Sequence, residues 1–324
     1  MLLTVPDLLQ RLGVELPIFP AGMGGGLAGP QLAAAVSDAG GLGTIGMLGR
    51  APLADELATA RRLTGKPLAV NLLLPFVRAA DWDGAEAADV VVTFWGRPRR
   101  RTSRFWIHQC GSVDEAMAAR AAGADAVIAQ GVEAGGHVRG TVSAADLLDR
   151  VRSALPGVPV LSAGGIADAN DVRDRLDAGA AAVVAGTRFL MSTESGAHPG
   201  YKRRLIEPRE TLLTELFGAG WPAPHRVVQN AATDRWLGAD PTGPRWLRAA
   251  NRITAPVFSL VPGTVQARLA RSQRPRVPLF GPAAATDGFH NLLDAGPLYA
   301  GECVARIGDV RAAADIVRDL ASSP

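Results

Sequence analysis

A histidine set among glycines is the first place in this chain where composition points to chemistry and away from scaffold. Residues Gln130 to Gly140 read Gln-Gly-Val-Glu-Ala-Gly-Gly-His-Val-Arg-Gly. Glycine loses the most backbone entropy on ordering and packs nothing, so this stretch is neither a stable helix nor a well-packed strand. It is a loop that follows the apolar run Ala126 to Ala129 and carries His137. A neutral imidazole near pH 7 can accept a proton, which makes His137 the candidate catalytic residue. The five histidines, at 108, 137, 198, 225 and 290, lack ligand spacing, so no metal site is expected, and only His137 lies on a glycine loop.

Two further glycine stretches fit an anion. Ser162-Ala163-Gly164-Gly165-Ile166 and Ala185-Gly186-Thr187-Arg188 each end an apolar run. Gly164, Gly165 and Gly186 let backbone amides approach a phosphate closely, and Thr187 adds a hydroxyl donor. Simple tight turns are the competing explanation. Asn71, Gln109 and Gln130 are neutral amides within or at the ends of apolar runs. Three amides without clustered carboxylates, histidines or cysteines favour a polar organic ring over a metal. No nucleophile elbow surrounds Ser162 or the cysteines, and no dinucleotide or triphosphate glycine motif stands at a strand–helix junction.

These residues need a frame that brings strand ends together. Apolar runs at Pro17 to Met23, Leu42 to Gly46, Leu68 to Leu74, Asp89 to Trp95, Phe105 to Cys110, Ala126 to Gln130, Val158 to Ser162 and Ala182 to Ala185 alternate with helical patterns. Those helices are read at Pro30 to Val36, Leu53 to Leu63, Val113 to Ala122, Ala144 to Leu155 and Ala169 to Ala178. Short apolar runs alternating with helices indicate a parallel sheet buried on both faces, and eight of them indicate closure. The expected class is therefore α/β, a (β/α)8 TIM barrel with an inserted, mainly helical second domain; an open doubly wound sheet is the competitor. The barrel is expected over 1–200 and 286–324. A helical insertion over 201–285, with helices near Tyr201 to Ile206, Glu210 to Phe217 and Val265 to Arg271, would cover the active-site face. Val310 to Leu320 is spaced as a closing helix. In such a barrel the loops after the strands form the working face, and phosphates commonly sit after strands seven and eight.

Composition narrows the partners. The hydrophobic share of 48% supplies a sizeable core, and a formal charge of +3 gives no general case for nucleic acid or an anionic membrane despite a pI near 9.3. Only two cysteines, Cys110 and Cys303, suit a reducing compartment. Met1 to Gln10 has no cationic segment followed by an apolar run, and no stretch reaches the ~18 apolar residues of a membrane span, so a cytoplasmic protein is expected. One crossover is short: Gly96 to Arg104 holds Arg97, Arg99, Arg100, Arg101 and Arg104. A parallel crossover usually needs about a dozen residues or more. The segment is read as a solvated linker replacing a helix, the alternative being a site for a phosphate-bearing substrate.

Phe19 to Gly26 with Gly40-Gly41-Leu42-Gly43, the Gln130 to Gly140 loop, Ser162 to Ile166 and Ala185 to Phe189 together resemble the nitronate monooxygenases. The similarity covers most of the chain; flavin-dependent enoyl-acyl-carrier-protein reductases and NADH:quinone reductases share the fold and the glycine loops. The resemblance implies FMN, with its phosphate on Gly164, Gly165, Gly186 and Thr187. Gly22, Met23, Asn71 and Gly135 would approach the cofactor, and Gln109 and Gln130 would bond the ribityl chain or ring edge. His137 matches the family's active-site histidine, and Tyr299 matches a tyrosine that lines the substrate pocket. The implied reaction is oxidation of alkyl nitronates or nitroalkanes with O2 to carbonyl compounds and nitrite. The alternative is an NAD(P)H-dependent flavin reductase acting on a quinone, an enoyl thioester or a pathway-specific intermediate; a flavin-free binding protein is a third possibility. A small-molecule substrate and a homodimer are also implied. Two departures stand out: Glu302 where the family usually has glutamine, and the linker Gly96 to Arg104 where it usually has a helix.

Overall fold

The computed structural model describes residues 5–49, 51–207, 210–258, 261, 263–277 and 279–322, so part of the segment Met1 to Gln10 lies outside the described residues. Among the described residues twelve strands follow in chain order: β1 (Ile18–Pro20), β2 (Gly43–Gly46), β3 (Leu68–Leu73), β4 (Val90–Phe94), β5 (Phe105–Cys110), β6 (Ala126–Gln130), β7 (Gly136–His137), β8 (Val160–Ala163), β9 (Ala182–Ala185), β10 (Thr211–Thr214), β11 (His225–Val228) and β12 (Leu298–Tyr299). They belong to two compact units. The first comprises Met1–Ala134, Arg139–Gly196 and Asp309–Pro324; the second comprises Gly135–Val138 and Ala197–Gly308.

The first unit is the expected barrel. Its strands run in the order β1-β9-β8-β6-β5-β4-β3-β2, all parallel. The Leu42 amide donates to the Ile18 carbonyl at 3.3 Å, joining the two ends of that order. Alternate residues point inward, because successive side chains on a strand face opposite sides. Phe19, Leu42, Val90, Val92, Ile107, Ile128, Leu161 and Val184 fill the interior. The other parity packs outward on helices: Val70 and Val91 meet Leu53 and Leu57, while Trp106, Val127 and Val160 meet Leu147, Leu148 and Val151. Burial on both faces explains why these strands read as apolar runs without polar alternation.

The strands expected from the sequence fall where expected. In this unit the helices Val5–Leu12, Ala79–Ala85 between β3 and β4, and the short Thr187–Leu190 are additions to the expected set. The crossover 96–104 has no helix. Arg100 pins it, donating to the Gly123, Thr102 and Arg104 carbonyls and pairing with Asp125 at 3.1 Å. Arg97, Arg99 and Arg101 are exposed, as a solvated linker requires.

The second unit is mainly helical, with Pro199–Ile206, Ala231–Trp236, Arg245–Phe258 and Gly263–Ser272 its longer helices. It also contains a small antiparallel sheet, β10-β11-β12, with β7 paired to β11. Two expectations change here. The helix expected over Glu210 to Phe217 is strand β10, because Thr211–Thr214 pairs in full with His225–Val228. The unit also extends past the expected 201–285, starting at Ala197, retaining 286–308 and taking in 135–138. Ladder pairing sets these limits, since Gly136–His137 and Leu298–Tyr299 both bond to β11. No helix among the described residues is long and apolar enough to cross a membrane.

Candidate active site

At the barrel mouth the inward parity of three strands ends in amides. Asn71 follows Ala69 on β3, Gln109 follows Ile107 on β5, and Gln130 follows Ile128 on β6. Asn71 and Gln109 line one cleft with Phe19, Gly22, Thr44 and Val184. Asn71 Nδ2 donates to the Gly22 carbonyl at 2.8 Å, while its buried Oδ1 has no hydrogen-bond partner among the described residues. A buried amide oxygen left unmatched costs about 1–3 kcal/mol, so an acceptor held here is suited to a ligand donor. Gly22 has no room for a side chain: a Cβ there would lie 2.2 Å from Asn71 Cβ. The structure thus brings Gly22, Asn71 and Gln109 together.

The other predicted residues divide. Gln130 is buried, and its Oε1 accepts the Arg139 backbone amide at 3.1 Å, so it holds its own loop. Met23 packs its side chain on the outer cluster containing Ile18, Val36 and Phe189. Gly164 and Gly165 both take positive φ, at +116° and +79°, which only glycine adopts without strain. Gly186 precedes the short helix Thr187–Leu190, and Thr187 is buried. Arg188 anchors that helix through Asp309 at 2.7 Å.

The loop around His137 is built from close backbone approaches. A Cβ on Gly140 would lie 2.1 Å from the Gln130 carbonyl, and one on Gly111 2.4 Å from Arg139. Arg139 pairs with Glu115 and lies 4.7 Å over the Trp95 ring. Trp95 itself has φ +63°, a conformation unusual for a non-glycine residue. Gly135 answers to the second unit, where a Cβ would lie 2.5 Å from the Gly301 amide.

His137 belongs to the second unit's sheet, opposite His225 in the β7–β11 register. Its ring stacks on Trp221 with centroids 3.6 Å apart and planes 14° from parallel. His225 lies at 5.4 Å and Tyr299 at 5.6 Å. His137 and Tyr299, two of the residues singled out in the sequence, are therefore brought together. His225 Nδ1 lies 2.9 Å from the Ala223 carbonyl, and its Nε2 accepts the Phe217 amide at 3.3 Å, which fixes the neutral Nδ1–H tautomer. Burial pushes the His225 pKa down to about 4. Burial first, and His225 second, hold His137 well below the ordinary histidine value. Burial likewise raises the Tyr299 phenol, whose hydroxyl donates to the Pro282 carbonyl at 2.8 Å.

His108, an outward residue of β5, is a core histidine: its Nδ1 sits 2.7 Å from Thr93 Oγ1, and burial first, then Arg139, take it down to about 4. Cys110 and Cys303 are both buried thiols. Glu302 pairs with Arg226 at 3.0 Å. Trp221, His225 and Arg139 are additions to the residues expected from the sequence. The only local sign is the run Gly-Trp-Pro at 220–222, which marks a turn without saying what the indole faces.

A family model described as nitronate monooxygenase matches residues 6–103 and 97–322. A nitronate monooxygenase of Pseudomonas aeruginosa is 34% identical over 284 residues, covering 69% of this chain and 81% of that protein. A (3aS,4S,5R,7aS)-5-hydroxy-7a-methyl-1-oxo-octahydro-1H-indene-4-carboxyl-CoA dehydrogenase of Mycobacterium tuberculosis is 32% identical over 252 residues, covering 70% and 67%. Among solved structures, a nitroalkane oxidase from Streptomyces ansochromogenes superposes with a TM-score of 0.72 at 30% identity, covering 97% of this chain and 96% of that one. With the family model spanning most of the barrel and of the second unit, the chain belongs to the nitronate monooxygenase family and is an oxidoreductase.

Proposed function

We propose that the protein oxidises alkyl nitronates with O2 to carbonyl compounds and nitrite, using FMN. The observation that carries the cofactor assignment is the unmatched Asn71 Oδ1 beside Gly22, where no side chain fits. Gly22, Met23, Asn71, Gln109 and Gln130 would hold the ring and ribityl chain, and Gly164, Gly165, Gly186 and Thr187 the phosphate. Gly135 is assigned to the cofactor by resemblance, although its close approach to Gly301 already accounts for it. FMN, when bound, supplies the redox chemistry; the chain orients the substrate and excludes water.

His137 is the proposed catalytic residue and Tyr299 a wall of the substrate pocket. A histidine held well below its ordinary pKa is neutral at pH 7, so it can donate one N–H to a nitronate oxygen without carrying charge. The same depression makes it a weak base for a neutral nitroalkane. His137→Ala should therefore reduce turnover of preformed nitronates at least as much as that of nitroalkanes. Loss confined to nitroalkanes would reassign His137 as the proton acceptor.

A second reading, an NAD(P)H-dependent flavin reductase acting on a thioester, is favoured by the similarity to a carboxyl-CoA dehydrogenase. Anaerobic mixing of the holoprotein with nitronate and, separately, with NADH decides between them. Bleaching of the flavin by nitronate alone supports the first reading, and bleaching by NADH alone supports the second. The resemblance further implies a homodimer in the cytoplasm, which sedimentation velocity and cell fractionation test.

A further inference from the structure

We propose that Trp221 is the positioning residue of this site: its indole fixes the plane of the His137 imidazole and shuts water from one face of the ring. The geometry is specific. The rings are nearly parallel, 3.6 Å apart, and His137 Nε2 is closed off from solvent. Trp221 is itself buried and held at the start of a tight turn, with its amide on the Gly218 carbonyl at 3.1 Å and its carbonyl taken by the Ala223 amide at 2.9 Å. On the other side of that turn the Pro224 carbonyl accepts the Val138 amide at 2.9 Å, so the turn and β7 are fastened together. A stack so anchored holds the imidazole in one plane, since tilting the ring about its side-chain bonds would drive it into the indole.

The remaining groups around His137 orient the ring without charging it. From β11, His225 is committed on both nitrogens, to Ala223 and Phe217. From β12, Tyr299 commits its hydroxyl to Pro282, and Tyr201 commits its hydroxyl to the Tyr299 carbonyl. Arg226 on β11 and Glu302 just after β12 neutralise each other at 3.0 Å, and Arg139 is paired with Glu115. An indole face attracts an imidazolium, which by itself would favour protonation. The same indole removes hydration from that cation, and for a ring nitrogen closed off from solvent the lost hydration is the larger effect. Trp221 therefore keeps His137 neutral as well as oriented. The consequence for turnover rests on the role given to His137 above; the positioning itself does not.

The test uses FMN-loaded, ¹⁵N-labelled protein with Trp221→Leu and Trp221→Phe, reading the ring nitrogens of His137 by NMR against pH. Comparison with His137→Gln assigns the signals. In Trp221→Leu the His137 titration should move up toward the ordinary 6.5, and in Trp221→Phe, which keeps a ring in the stack, it should move less in the same direction. The acid limb of kcat/KM should follow, with kcat/KM at pH 7 lower by roughly 10- to 100-fold in the leucine variant. Titrations identical to wild type overturn the proposal, and the phenylalanine variant alone suffices if the leucine variant does not fold. An NMR shift with an unchanged rate profile upholds the stack and overturns the catalytic role of His137.

Discussion

Asn71 and Gly22 are fastened to each other at the barrel mouth: the Asn71 amide donates to the Gly22 carbonyl at 2.8 Å, and a Cβ on Gly22 would sit 2.2 Å from that of Asn71. The pairing puts an unmatched acceptor, Asn71 Oδ1, at a defined place. Gly22→Ala must push Asn71 away. Overpacking of this kind costs about 1–3 kcal/mol, and a displaced acceptor should also weaken retention of FMN. Thermal denaturation with and without FMN checks both; a variant that melts and binds flavin like wild type contradicts the assignment.

Arg139 ties the Gln130 to Gly140 loop back to the barrel by pairing with Glu115 and stacking over Trp95 at 4.7 Å. Removing it in Arg139→Ala loses the ion pair with Glu115 and the stack on Trp95 and should destabilise by about 1–3 kcal/mol. Arg139→Lys should recover less than half of that loss, because a lysine ammonium lacks the planar guanidinium that stacks and forks. Urea unfolding of the three proteins decides it, and full rescue by lysine would mean that only the charge matters.

Buried histidines make the fold acid-sensitive. His108 and His225 are each pushed from 6.5 down to about 4 by burial. Between those values the unfolded chain binds protons that the folded chain refuses. The stability they contribute is thus complete above pH 6.5 and lost as pH falls through about 4. The shift corresponds to roughly 3 kcal/mol for each histidine over that window. The melting temperature should fall steeply from pH 6.5 to 4.5, and His108→Asn should flatten the slope; an unchanged slope would assign the acid limb to other groups.

Glu302 answers Arg226, but its side chain is 54% exposed against 9% for the arginine. An exposed partner contributes little, about 1 kcal/mol or less. Glu302→Gln should therefore leave the melting temperature nearly unchanged at 0.15 M salt, whereas Arg226→Ala should lower it clearly. Equal losses in the two variants would show a fully coupled pair.

Much of the barrel is legible in the amino-acid sequence alone. Runs such as Leu68 to Leu73 and Ala126 to Gln130 are buried on both faces, so their apolar composition marks them without help from distant residues. The rim amides are legible for the same reason, as polar breaks in those runs. Less can be read where local preference loses to pairing. Thr211–Thr214 suits either a helix end or a strand, and only its partner His225–Val228 settles the matter.

The eight-strand alternation, the glycine loops at the strand ends and the placing of one histidine on such a loop are all properties of neighbouring residues. Burial on both faces and glycine's backbone freedom act over a few positions, and a sequence records neighbours directly. What His137 faces has a different origin. The indole of Trp221, the neutral tautomer of His225 and the ring of Tyr299 come from separate parts of the second unit. They meet His137 through the β7–β11–β12 ladder and the 221–223 turn. Ladder pairing depends on chain segments far apart in sequence, and burial, which sets the charge of that imidazole, exists only once they have packed.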